Sequence, residues 1–513
     1  MAETPSPSNA ENLQRDWRTG VDSPLHIQVT PKRRSSMLGR VSLGLQDALG
    51  WLNKQGSLLK SGRKSNAIPE SSAGVSRKTL AFGDTNTPAR AANSSSERIF
   101  TITESQEDEE IDNDVMTILN EIQDTHSGPL MTPGLEETFS KKLKLHNEED
   151  CLRTPNLSKL SSMPPLQQLL TLCGQHVDVD ALVTMEELLG KYVDLSTVKK
   201  VGEGTFGEAF RAGDVVFKIV PMEGTDLVTG EPQKSAEEIL GEAAVTMTLS
   251  KLRYAAATHL LAKPENVTSG FVETHGIGVC KGRYSEKLSK EWQRWNKLHA
   301  SENEPVDGYG DDQLYVVFVV ANGGTDLETF KPRSFDEIKS ILMQISLTLA
   351  VAENACEFEH RDLHWGNILI NRDGTKHIQY SLRGVDITLA CAGVRVTLID
   401  FTLSRLKAKD GEIAYCNLSA DPEIFNGPDG DPQAEAYRQM QGSISEWKDY
   451  LPKTNAIWLH YLTNIMLNYK CPPNCKKQDR DQLRALLEDS KDADSAESLV
   501  WHSMFSGIWS SSD

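Results

Sequence analysis

Apolar positions fall into two regimes along this chain. Over roughly residues 1–160 they are sparse and aperiodic, set among Ser, Thr, Pro, Asn and Gly with few aromatics. Such a segment cannot bury enough apolar surface to offset chain entropy, so a disordered tail is expected over 1–165. Short helical pieces are expected at most near 41–52 and 115–122, and alone they would be marginal. From about Pro165 the texture changes. LQQLLTLCGQ and VTMEELLGKY space their apolar residues as helix faces do, and SAEEILGEAAVTMTLSKL reads as a longer helix. GDVVFKIVP alternates and is β-branched, as a strand would be, and VRVTLID reads as a second strand. Short strands and helices alternate in this way to the end, without internal repeats, so one α+β domain is expected over 166–513.

Composition supports that division. The 513 residues are 38% hydrophobic, and the mean hydropathy of −0.41 is low for a chain packed throughout. Net charge is −19 and pI ≈ 5.2, which argues against broad, non-specific nucleic-acid binding by the whole molecule; no direct sequence-specific nucleic-acid binding is expected either. Residues 166–513 alone hold 35 Lys and Arg against 51 Asp and Glu, so the acidity belongs to the domain and suits a basic partner. The eight cysteines lie far apart except Cys471 and Cys475 in CPPNC, with no second pair to complete a zinc site, and reduced thiols are expected. No stretch approaches the ~20 apolar residues that span a bilayer, and MAETPSPSNAENLQRD has no apolar core of a secretory signal.

Charge also separates within the tail. Residues 30–90 are basic (PKRRSS, SGRKS, SRK) and 104–150 acidic (ESQEDEEIDND). TPKR at Thr30 and TPAR at Thr87 resemble cyclin-dependent kinase target sites, which makes such a kinase an expected partner of the tail. Further Ser/Thr-Pro pairs stand at Thr4, Ser6, Ser23, Thr132 and Thr154, and PKRR is a short candidate nuclear localisation patch.

The chemistry lies in the domain. Val201–Phe210 reads VGEGTFGEAF, with Gly202, Gly204 and Gly207 in GxGxxG spacing. Such a hairpin lets backbone N–H groups of Glu203, Thr205, Phe206 and their neighbours approach phosphate oxygens. A dinucleotide fold would need a helix next; the strand GDVVFKIVP follows instead, which favours the phosphate-covering hairpin of kinases. That strand carries Lys218, and a lysine in an apolar strand needs an anionic partner. ATP phosphates and a helix glutamate fit, Glu242 by preference and Glu238 as competitor. His360-Arg-Asp-Leu-His-Trp-Gly-Asn367 contains H-R-D-L-x-x-x-N. In it Asp362 would accept or orient the substrate hydroxyl proton, and Asn367 would ligate Mg²⁺. Asp400, leaving the strand VRVTLID, is placed for Mg²⁺ bridging the phosphates. The order of these parts resembles a bilobal eukaryotic protein kinase, with a β-rich N-lobe at about 166–320 and a helical C-lobe at about 321–513.

Three departures stand out. The usual DFG triplet is Asp400-Phe-Thr402, no APE motif follows it, and His364 stands where a lysine is usual. With HRDLHWGNILI (360–370), LIDFTLSR (398–405), IVPMEG (219–224), NGGTDLE (322–328) and DPEIFNGPDGDPQAEAYRQM (421–440), the sequence closely resembles the haspin family of atypical kinases. The resemblance implies a monomeric serine/threonine kinase of the non-specific class, using ATP and Mg²⁺ and active without activation-loop phosphorylation. It implies a nuclear, chromatin-associated protein in mitosis whose substrate is a threonine near the N-terminus of histone H3. It points to Asp429 and Asp431 as acidic substrate contacts, with Glu208, Asp326 and Glu328 as further candidates; Asp326 alternatively holds the ATP ribose. Val320 and Asn322 fall at the adenine-side hinge. Val216 and Ala209 depart from the usual Ala and Val around the nucleotide, and Val320 would be a small gatekeeper. Two rivals remain at this point: a small-molecule phosphotransferase of the aminoglycoside type, and a pseudokinase scaffold on chromatin.

Overall fold

The computed structural model describes residues 26–29, 162–228, 230–253, 264–301 and 303–512, which all fall within one compact unit. The Ser/Thr-Pro pairs, the PKRR patch and the pieces expected at 41–52 and 115–122 lie outside the described residues. Within the tail, His26–Val29 is a strand.

The first part of the domain is built on an antiparallel sheet of β1 (Lys199–Gly204), β2 (Gly207–Ala212), β3 (Val215–Met222), β4 (Thr274–Lys281) and β5 (Leu314–Ala321), in the order β1-β2-β3-β5-β4. Alternation decides what each face meets. Val220, Met222, Val316 and Phe318 join the large core around helix α3 (Ala236–Lys251). Phe217, Ile219, Tyr315, Val317 and Val319 join a second core. There they meet Leu188 and Leu189 of α2 (Met185–Gly190) and Leu288 and Trp292 of α4 (Glu286–His299). Ahead of these, α1 (Pro165–Leu172) packs Leu169 and Leu170 into the large core. Lys218 shares its register parity with Val220, so the strand directs it toward α3.

The second part is mainly helical. α5 (Phe335–Cys356) is buried along most of its 22 residues, and α6 (Pro432–Ser443), α7 (Lys453–Ile465), α8 (Lys477–Asp489) and α9 (Ala496–Val500) complete the helical set. Small sheets position the functional loops. β6 (Ile368–Asn371) pairs antiparallel with β9 (Arg395–Leu398), setting the segments before Asp400 and after Asp362 side by side. Between them, β7 (His377–Leu382) and β8 (Val385–Ala390) form a hairpin extended by β12 (Trp509–Ser512). β10 (Arg405–Lys407) and β11 (Ile413–Cys416) follow Asp400, and strand His26–Val29 lies parallel on β11. No helix among the described residues is long and apolar enough to cross a membrane.

Candidate active site

A cleft of ≈ 400 Å³ is lined by the glycine hairpin, β3, β5 and the loops around Asp362 and Asp400. Gly204, Thr205, Phe206 and Gly207 form its roof. Gly207 is required by packing, because a Cβ there would stand 2.2 Å from the Ile219 carbonyl oxygen, whereas Gly204 has only the Gly207 oxygen at 3.9 Å. The hairpin is strapped from outside by α4 and the turn after it. Asn303 Nδ2 donates to the Gly204 carbonyl (3.2 Å) and to Glu208 Oε1 (3.0 Å). Trp292 Nε1 donates to the same Glu208 oxygen at 2.8 Å, and Lys200 Nζ lies 2.5 Å from the other. Glu208 is therefore buried and engaged, not a carboxylate available to a substrate, which corrects the expectation from sequence. Glu203 borders the cleft with its carboxylate held by Lys200 (2.8 Å), Ser301 (2.7 Å) and Trp295 (3.1 Å).

Lys218 Nζ stands 2.9 Å from Glu242 Oε1 and 3.9 Å from Asp400 Oδ2. Burial alone would raise the Glu242 carboxyl, but Lys218 and Lys234, the latter 3.4 Å away, outweigh it and hold the group below its ordinary value. Glu238 is spoken for elsewhere: it closes a capping box with Ser235 at the start of α3. The helix glutamate facing Lys218 is thus Glu242.

The loop between α5 and β6 brings up the remaining groups. Asn367 Nδ2 donates to the Asp362 carbonyl at 2.9 Å. Tyr437 of α6 donates its hydroxyl to Asp362 Oδ1. His364 Nδ1 accepts from the Gly366 N–H (3.0 Å), so the neutral ring carries its proton on Nε2, 4.0 Å from Asp362 Oδ1. Arg361 and Asp400 have φ of 63° and 61°, left-handed conformations that non-glycine residues rarely adopt and that gather at functional sites. Thr402, in place of the usual glycine, donates from Oγ1 to Asp400 Oδ1 at 2.6 Å and fixes that carboxylate. His360 is fully buried with Nε2 toward the Ile399 carbonyl (3.2 Å), and burial pushes its imidazole down to about 4. Lys218, Asp362, Asn367 and Asp400 all line the one cleft.

A family model for the haspin-like kinase domain matches residues 95–504. The chain belongs to the haspin-like kinase family. It is 40% identical over 345 residues to a serine/threonine-protein kinase haspin homolog of Arabidopsis thaliana, covering 67% of this chain and 56% of that protein. Against haspin of Mus musculus the identity is 39% over 324 residues (61% and 42% covered), and against a haspin homolog of Drosophila melanogaster 38% over 281 residues (52% and 48%). The chain thus spans about half the length of these curated relatives.

The rim candidates of this haspin-like domain are placed unequally. Val320 lines the cleft beside Val216, its register partner on the adjacent strand, with Ala321 and Gly323 next to it. The Asn322 side chain instead accepts from the Gly324 N–H at 3.1 Å. Asp326 caps a turn through the Thr329 N–H (2.7 Å). Glu328 is exposed, and partial desolvation together with the charge of Asp326 raises its carboxyl above the ordinary value against the pull of His364 and Lys470. Asp429 is exposed, while Asp431 is the N-cap of α6, accepting from the Gln433 and Ala434 N–H groups (3.0 and 2.8 Å). Burial, with the charges of Asp431, Glu328 and Asp362 adding to it, raises the Tyr461 hydroxyl well above its ordinary value. Sequence reasoning missed Tyr437, Asn303 and Lys234. Tyr437 stood inside a quoted motif, but nothing local signalled its partner.

Proposed function

We propose that this chain is a serine/threonine protein kinase that transfers the γ-phosphate of ATP to a threonine near the N-terminus of histone H3. The observation that carries the reading is the convergence of Lys218, Asp362, Asn367 and Asp400 on one cleft. The donor set fits nucleotide-bound Mg²⁺. Hard oxygen ligands from Asn367 and the Asp400 carboxylate suit that ion, which usually takes one or two protein oxygens and completes its shell with phosphates and water. When bound, ATP with Mg²⁺ supplies the phosphoryl group and neutralises charge that builds on it.

The chain's own groups do the rest by position and field. Lys218, held by Glu242, presents an ammonium toward the phosphates. Asp362 orients the acceptor hydroxyl and takes its proton. The hairpin, strapped by Asn303, covers the phosphates and excludes water. The acidic rim of Glu328, Asp429 and Asp431 supports a basic peptide as acceptor, and the histone tail brings an α-amino group, Arg and Lys. That acceptor in turn supports a nuclear, chromosome-bound role in mitosis, with a cyclin-dependent kinase acting on the Thr-Pro sites of the tail.

Purified chain incubated with a histone H3 N-terminal peptide, ATP and Mg²⁺ is expected to yield phosphothreonine detectable by mass spectrometry. Lys218→Met and Asp362→Asn should each lower turnover by about 10²-fold or more while leaving the melting curve intact. Phosphorylation of small amines but not of the peptide would favour the small-molecule phosphotransferase. Peptide binding without ATP turnover would favour the scaffold.

A further inference from the structure

The catalytic carboxylate needs something to fix its rotation, since the terminal torsion of an aspartate is broad. In most kinases a lysine two residues on is at hand; in this chain that position is His364, whose Nε2 stays 4.0 Å from Asp362 Oδ1, beyond a hydrogen bond. A different element reaches in. Tyr437 projects from α6, is 2% exposed, and donates its hydroxyl to Asp362 Oδ1. Its ring stands edge-on to the fully buried Trp458 of α7, centroids 5.3 Å apart, so two packed aromatics fix where the hydroxyl sits. The start of α6 is fixed as well, by the Asp431 cap and Pro432 in the first turn.

We infer that Tyr437 is a positioning residue for phosphoryl transfer: by occupying Oδ1 of Asp362, its hydroxyl sets the carboxylate plane against the acceptor hydroxyl. An ionised carboxylate only accepts, so the phenol is the donor and the bond is charge-assisted. Without it Oδ1 loses this donor, and misplacement of a reacting group on the ångström scale lowers the rate by about 10²-fold. Because α6 also begins at Asp431, beside exposed Asp429, the helix ties the acidic rim to the catalytic carboxylate. The inference rests on the kinase reading proposed above.

The test is Tyr437→Phe in the full chain, which keeps the ring on Trp458 and removes one oxygen. With the histone H3 peptide, kcat is expected to fall about 10- to 100-fold, with KM for ATP, affinity for ADP and the melting temperature unchanged. In an Asp362→Ala background, followed with radiolabelled ATP over hours, the same substitution should change nothing further. Wild-type kcat in the Phe variant would overturn the inference. So would an equal loss in the Asp362→Ala background, or a loss of ADP affinity, since either places the role elsewhere. Absence of turnover in the unsubstituted chain would instead bring down the kinase reading itself.

Discussion

His360 shows how burial chooses a protonation state beside the reacting groups. The charges of Asp362 and Asp400 favour a charged ring, yet desolvation prevails and the imidazole titrates near about 4 rather than 6.5. Folding therefore selects the neutral form. The stability it contributes is complete above pH 6.5 and is lost as pH falls toward 4, by about 3 kcal/mol in all. Thermal unfolding between pH 7.5 and 4.5 should show a midpoint that drops most steeply below 6.5. His360→Phe, which keeps an aromatic edge against Phe358 and Phe401, should lose that part of the slope. An identical slope in the variant would move the acid sensitivity to other groups. Single residues were legible in the sequence where a charged group stands in an apolar strand, as Lys218 and Asp400 do, or where a fixed motif spacing carries them, as it does Asp362 and Asn367. Glu208 was misread because its partners Trp292 and Asn303 lie 84 and 95 residues away. Tyr437, 75 residues from Asp362, was invisible for the same reason.

At the scale of elements, strand β3 and the long helix α3 followed from alternation and helical spacing, whereas β4 and β5 of the same sheet did not; the capping box that starts α3 is readable as Ser235 and Glu238. The β7–β8 hairpin escaped, because its turn pairs Gly384 with Arg383 where Asn, Asp or Gly would have signalled it. Arg383 and Gly384 both have positive φ, 51° and 81°, as a two-residue mirror-image turn requires. The role of α4 escaped too, since a helix with Leu288 and Trp292 as its buried residues signals packing, not a grip on a distant hairpin. That grip is testable. Asn303→Ala removes the donor shared by the Gly204 carbonyl and Glu208 and frees the hairpin to open. KM for ATP should rise about 3- to 30-fold, the loss expected from one or two hydrogen bonds of about 1 kcal/mol each, while kcat changes little. A variant with unaltered KM and faster unfolding would reduce the strap to a purely structural tie.

Across the whole molecule, the catalytic loop is wired to the helical part through charges that never reach solvent. Arg361 is fully buried. It donates to Glu359 through Nε and Nη2, both at 3.1 Å, and to the Trp447 and Asp449 carbonyls at 2.6 and 3.2 Å. Glu359 also accepts from the Leu451 N–H and Thr454 Oγ1, each at 2.8 Å. Kinases that are switched on by phosphorylation order the segment after the magnesium aspartate with new arginine–phosphate pairs. Here the arginine of the catalytic loop has its donors committed inside the protein. Protein treated with phosphatase should accordingly phosphorylate the histone peptide at the same rate as untreated protein, and a drop of tenfold or more would show that a phosphate is needed after all. An arginine spent in this way is not a latch for a phosphate to throw. A rate indifferent to phosphatase would leave timing to be imposed from without, through how much of the chain is made, where it is tethered and whether its acceptor is within reach.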